Sequence, residues 1–96
     1  MFMTIVEGVV DPGREDDLRW AWEQRPSELP AGFVESFLLR GEKAATWRIA
    51  TVWESREAVM AMRASGKRPA ALVMFEQAGA EVIPSYWSVE GHATPG

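Results

Sequence analysis

Apolar and polar residues alternate most clearly from Thr46 to Ser55. Trp47, Ile49, Thr51 and Trp53 fall on one side there, and Arg48, Ala50, Val52 and Glu54 on the other. Aromatic and β-branched residues dominate this stretch, so it reads as a central strand. Ser55 ends the alternation and caps a helix that begins Arg56-Glu57-Ala58 and carries Ala58, Val59 and Met62 inward. Upstream, Phe2 to Val10 alternate weakly and predict a first strand. Asp11-Pro12-Gly13 breaks it, with Asp11 in position to cap a helix. Glu15, Asp16 and Asp17 then lie at that helix's positive end, which reads as a helix start rather than a metal site. Leu18, Ala21 and Trp22 share one of its faces, while Trp20 looks another way.

Pro26 and Pro30 end this helix, and Phe33 to Arg40 predicts a second strand. The polar turn Gly41 to Ala45 joins it to the central strand as an antiparallel hairpin. Ser65-Gly66 interrupts the helix after Ser55. A further helical piece follows from Ala70 to Ala78, with Pro69 before it, an Ala71, Leu72 and Phe75 stripe, and Gly79 as its C-terminal cap. The last strand is expected from about Ser85 to Val89, with Tyr86 and Trp87 on opposite faces.

The order β-α-β-β-α-β predicts an α+β, ferredoxin-like fold, a four-stranded antiparallel sheet with its helices on one face. Trp47, Ile49 and Trp53 belong to the helix-covered face. Ala50, Val52, Val34 and Leu38, with Ile5 and Val9, are assigned to the other, and Arg40 and Arg48 are assigned away from the pocket face, to pair with Glu54 or Glu7. An apolar sheet face in water is a patch that monomers avoid. A second copy of the chain is the simplest cover, so a homodimer packed sheet on sheet is expected. Residues 1–91 read as one domain and residues 92–96 as a disordered Gly/Pro-containing tail.

Composition narrows the chemistry. Of 96 residues 47% are hydrophobic, enough for a globular core, and the charge of −4 is mixed along the chain. No basic stripe exists to meet phosphates, so nucleic acid is not an expected partner. No apolar run reaches the roughly 20 residues of a membrane span. The first residues lack the features of a signal sequence, and a cytoplasmic location is expected. There is no cysteine, which excludes thiolate nucleophiles, thiolate metal ligands and disulfides. The single histidine, His92, lies in the tail, so no serine–histidine–acid set is available and no metal site is expected. No glycine-rich phosphate loop is present. Five tryptophans remain as the notable feature, and each buried indole is first of all hydrophobic payload.

Val52-Trp53-Glu54-Ser55 before an amphipathic helix, Asp11-Pro12-Gly13 after the first strand, and Pro30-Ala31-Gly32-Phe33 opening the second resemble the antibiotic biosynthesis monooxygenase family of the dimeric α/β-barrel superfamily. The resemblance spans about residues 3–91. It implies that two ferredoxin-like subunits join their sheets into a barrel, each keeping a pocket between sheet and helices. It also implies oxygenation of quinol or phenolic substrates with no cofactor. Trp53 matches the family's pocket tryptophan at the end of the third strand. Trp22, Trp47, Thr51, Phe75 and Tyr86 are the other candidate substrate-binding residues, with Thr4 on the same face. Haem-degrading relatives add an asparagine late in the first strand and a histidine in the second helical region. This chain has Glu7-Gly8 and Ala70-Ala71-Leu72 at those places, which argues against that chemistry. The expected function is thus a cofactor-independent monooxygenase acting on a small aromatic molecule. The alternative is a non-catalytic homodimer that binds a hydrophobic metabolite or serves as a structural module.

Overall fold

The computed structural model describes residues 1–96. Its elements are β1 (Phe2–Val9), a 3-10 turn (Pro12–Arg14), α1 (Glu15–Glu23), β2 (Phe33–Arg40), β3 (Thr46–Trp53), α2 (Arg56–Ala64), α3 (Ala70–Gln77) and β4 (Val82–Ser88). The strands form one antiparallel sheet in the order β2-β3-β1-β4. This is the ferredoxin-like α+β arrangement that the element order predicts.

Local chemistry explains most boundaries. Ser55 is extended, and its hydroxyl accepts the Ala58 N–H at 3.2 Å, so α2 starts where the sequence places it. Gly79 adopts φ +70°, and the Ala80 N–H reaches back to the Phe75 carbonyl at 3.0 Å, closing α3. Asp11 does not cap α1 with its side chain. Its carbonyl instead accepts the Arg14 N–H at 2.8 Å in the 3-10 turn, which moves the α-helical start on to Glu15. Glu15, Asp16 and Asp17 do fill the first turn of α1, where the helix dipole favours them. β4 begins at Val82, earlier than the expected Ser85, and includes Pro84. It pairs only with β1, and an edge strand has an open side on which proline's missing N–H is tolerated.

The main correction concerns the phase of β2. Phe33 is opposite Trp53, but the next paired residue, Glu35, is opposite Val52, so Val34 is the extra residue of a bulge. Beyond the bulge Ser36, Leu38 and Arg40 face Thr51, Ile49 and Trp47 on the helix-covered side. Leu38 therefore packs on the core, and Arg40 stands over the helix face, contrary to the expectation for both. Phe37 and Leu39 take the open face instead, joined by Ile83 and Trp87 of β4. Arg48 and Glu7 are on that face and pair at 2.7 Å.

The core lies between the sheet and helices α1 and α3. Val6, Val10, Leu18, Ala21, Trp47, Ile49, Met74, Phe75 and Ala78 form it, and Trp22, Leu38 and Leu72 pack against it. On the open face Ala50 and Val52 are already shielded by the flanking strands. Val9 (68% exposed), Ile83 (69%) and Trp87 (53%) are not, nor are Phe37 and Leu39. No helix is long and apolar enough to cross a membrane.

Candidate functional site

Between α1 and the edge strand β2 lies a groove of about 560 Å³. Arg19, Trp22 and Glu23 of α1 form one wall. Ser36, Leu38 and Arg40 of β2 form the other, and Trp47 of β3 lies at the base. The spacing of α1 sets this up: Leu18 and Ala21 are buried against the core, so Arg19, Trp22 and Glu23 fall on the flank that overlooks β2. Trp22 is held in place by Arg25, whose guanidinium stacks 4.6 Å from the indole centre and donates to the Trp22 carbonyl at 2.8 Å.

One end of the groove is charged. Glu15 accepts the Trp47 indole N–H at 2.9 Å and two N–H groups of Arg40 at 3.1 and 3.4 Å. Arg19 and Arg40 both approach the Trp47 ring, at 5.1 and 5.9 Å from its centre. The Arg40 guanidinium holds the Glu15 carboxyl below the usual carboxylate range; partial burial opposes this and the Trp47 N–H assists it. Charges of both signs are thus spent on one another at this end.

The other end is polar but uncharged. Tyr86, Thr4, Thr51 and Ser36 are register partners across all four strands, so one rung of the sheet carries a hydroxyl from every strand on the helix-covered face. The Ser36 hydroxyl is 2.9 Å from that of Thr51 and donates to the Ala50 carbonyl at 3.3 Å. The next rung is aromatic. Trp53 meets Phe33 edge to face at 5.9 Å and donates its indole N–H to the Thr4 hydroxyl at 3.0 Å. On the outer strand, Arg63 of α2 stacks 4.6 Å from the Tyr86 ring and donates to its hydroxyl. No three His, Asp or Glu side chains converge on a point that would hold a metal ion.

Of the six residues proposed from sequence, Trp22 and Trp47 line the groove, and Thr51 is one hydrogen bond behind its Ser36 wall. Trp53 (4% exposed) is on the same face, six residues along β3 from Trp47 or about 20 Å at the rise of a strand. Phe75 (0% exposed) sits in the core against Gly8, and Tyr86 is at the far edge of the sheet. Neither Phe75 nor Tyr86 lines the groove. Sequence reasoning missed Ser36, Arg40 and Glu15. The first two lay hidden behind the β2 phase error. Glu15 was read only as dipole decoration, although the carboxylate in a helix's first turn was also free to reach an indole N–H.

The sequence profile of the antibiotic biosynthesis monooxygenase family matches residues 1–73. None of the curated protein sequences matches this chain. Among solved structures, a MhuD variant with two manganese protoporphyrin IX groups per active site is 19% identical with a TM-score of 0.72, covering 99% of this chain and 100% of that one. The ActVA-Orf6 monooxygenase of Streptomyces coelicolor, in complex with nanaomycin D, is 17% identical with a TM-score of 0.69, covering 99% and 92%. A variant of SnoaB, a cofactor-independent oxygenase from Streptomyces nogalater, is 14% identical with a TM-score of 0.62, covering 95% and 94%. These likenesses agree on the fold, and the profile covers most of the chain. The chain belongs to the antibiotic biosynthesis monooxygenase family.

Proposed function

We propose that this protein is a monooxygenase acting on a small aromatic molecule, a quinol or phenol, held in the groove between α1 and β2. The observation that carries the reading is the groove itself: two indoles, Trp22 and Trp47, flank a cleft whose wall ends in a pair of hydroxyls rather than a charge. Its volume falls in the range of ligand sites, roughly 300–1,000 Å³. Flat apolar walls suit a fused aromatic ring, and Trp53 with Phe33 continues that surface at the hydroxyl end. Phe75 supports the groove from the core, and Tyr86 with Arg63 lies across the sheet from it. Family relatives support the chemistry: SnoaB is described as a cofactor-independent oxygenase, and ActVA-Orf6 binds nanaomycin D.

The electrons come from the substrate. An anthrone-type CH₂ carbon loses two hydrogens and gains one oxygen atom as a carbonyl; the second oxygen atom leaves as water with those hydrogens. The protein's part is to orient the ring, exclude bulk water and accept the first proton. Oxygen-electrode assays with a panel of anthrones and naphthohydroquinones test this. Uptake above the uncatalysed rate, lost in Trp22→Ala, supports the reading; no uptake with any of them overturns it.

A second reading is a binder without turnover, favoured by one observation. Arg19, Arg40 and Glu15 are each already in ion pairs, and the hydroxyl end offers no ionisable group. Saturable quenching of tryptophan fluorescence by a ligand recovered unchanged identifies this case. In both readings the open sheet face, with Val9, Phe37, Leu39, Ile83 and Trp87 exposed, is covered by a second copy of the chain.

A further inference from the structure

The hydroxyl pair at the end of the groove has a defined polarity. Ser36 Oγ has one hydrogen and two contacts, the Ala50 carbonyl at 3.3 Å and Thr51 Oγ1 at 2.9 Å. A carbonyl can only accept, so both contacts form at once only when the Ser36 hydrogen points to Ala50 and Thr51 donates to Ser36. Both hydrogens of the pair are then committed inside the protein. What remains is acceptor capacity: one lone pair on Ser36, which lines the groove, and two on Thr51, which is buried behind it. The groove's donors, the guanidinium groups of Arg19 and Arg40, are at the other end, four residues or about 13 Å along β2 from Ser36.

From this we infer that Ser36, with its hydrogen locked by Ala50 and Thr51, determines specificity for the reduced form of the ligand. A phenol or quinol hydroxyl can donate to it. The carbonyl of a quinone, and an ether in the same place, meet only lone pairs. The inference rests on the reading of the groove as an aromatic site and adds the redox state it selects: substrate O–H is accepted, and an oxidised product loses its one contact at this end. Ser36 acts here as a binding residue, with Thr51 as the positioning residue behind it.

The test is calorimetric titration of the intact chain with 2-naphthol, 2-methoxynaphthalene and 1,4-naphthoquinone; the protein has no cysteine for the quinone to arylate. A single neutral hydrogen bond predicts that 2-naphthol binds about three- to tenfold tighter than the other two. In Ser36→Ala that preference falls to about one, while affinity for 2-methoxynaphthalene changes less than about twofold. In Thr51→Val most of the preference survives, because Ser36 keeps its hydrogen on Ala50. Equal binding of all three ligands to the wild-type protein overturns the inference and leaves the aromatic groove standing. A preference that persists in Ser36→Ala also overturns it. Failure of every ligand to bind rejects the groove reading itself, and with it this inference. The wild-type series needs no variant to fold, and melting curves of both variants check that they do.

Discussion

Replacing Gly8 with alanine would drive a methyl group into the ring of Phe75. A Cβ built on Gly8 lies 2.7 Å from two carbon atoms of that ring and 3.3 Å from a third, well inside van der Waals contact. Phe75 has no exposed surface and is packed among Val6, Trp47 and Met74, so the ring has no free volume to swing into. Gly8 is paired to both neighbours, opposite Trp47 on β3 and Val82 on β4, so the strand cannot retreat without breaking two ladders. Overpacking of this kind costs about 1–3 kcal/mol. For a domain of this size that is a fall in Tm of roughly 4–8 °C for each kcal/mol. Thermal melts followed by circular dichroism give the value. The mechanism is checked by a double-mutant cycle with Phe75→Leu, whose narrower side chain makes room for the new methyl. The double variant is then less destabilised than the two single variants summed, by about 1 kcal/mol or more. A Gly8→Ala protein that melts with the wild type, or a cycle that adds without coupling, would show that the ring does not occupy this space.

Other consequences follow from particular contacts. Ser55→Ala removes the hydroxyl that caps α2 and is expected to cost about 1 kcal/mol, read from the urea midpoint at unchanged slope; Ser55→Asp should retain most of the stability. Glu15 and Glu76 are both held below the usual carboxylate range, Glu15 chiefly by its hydrogen bond from Arg40 and Glu76 by that from Arg68. Their contribution is therefore complete above the unfolded value of about 4.3 and is lost as pH falls through their lower folded values. Chemical denaturation between pH 6 and pH 3 should show an acid limb that flattens in Glu15→Gln and Glu76→Gln; an unchanged limb would refute the assignment. Phe37→Glu places a charge in the open sheet face, and analytical ultracentrifugation should find monomer where the wild type is dimer; a wild-type protein that sediments as monomer removes the premise.

Much of the fold was readable along the chain because its signals are local. The Ser55 cap, the Gly79 stop and the acidic first turn of α1 each depend on residues within one helical turn, and each forms as read. β3 was equally legible because its tryptophans and isoleucine alternate with a clear phase. β2 was not. In Phe-Val-Glu-Ser-Phe-Leu-Leu-Arg both faces hold apolar side chains, so the hydrophobic pattern has no phase of its own, and a shift of one residue exchanges the faces. The site suffered the same way: Trp22 and Trp47 stood out by composition, while Ser36 and Arg40 were placed on the wrong side of the sheet.

The amino-acid order alone determined the elements, their sequence β-α-β-β-α-β and the helix ends, because capping, proline and glycine act through nearest neighbours on the backbone. It also set the chemistry available, a chain with five indoles, no thiol and one histidine near its end. Only the tertiary structure decided the bulge at Val34, and through it which half of β2 meets the helices. Strand phase is settled by pairing with a neighbour distant in sequence, and that pairing brought Ser36 to Thr51 and Arg40 to Glu15, contacts that no spacing along the chain foretold.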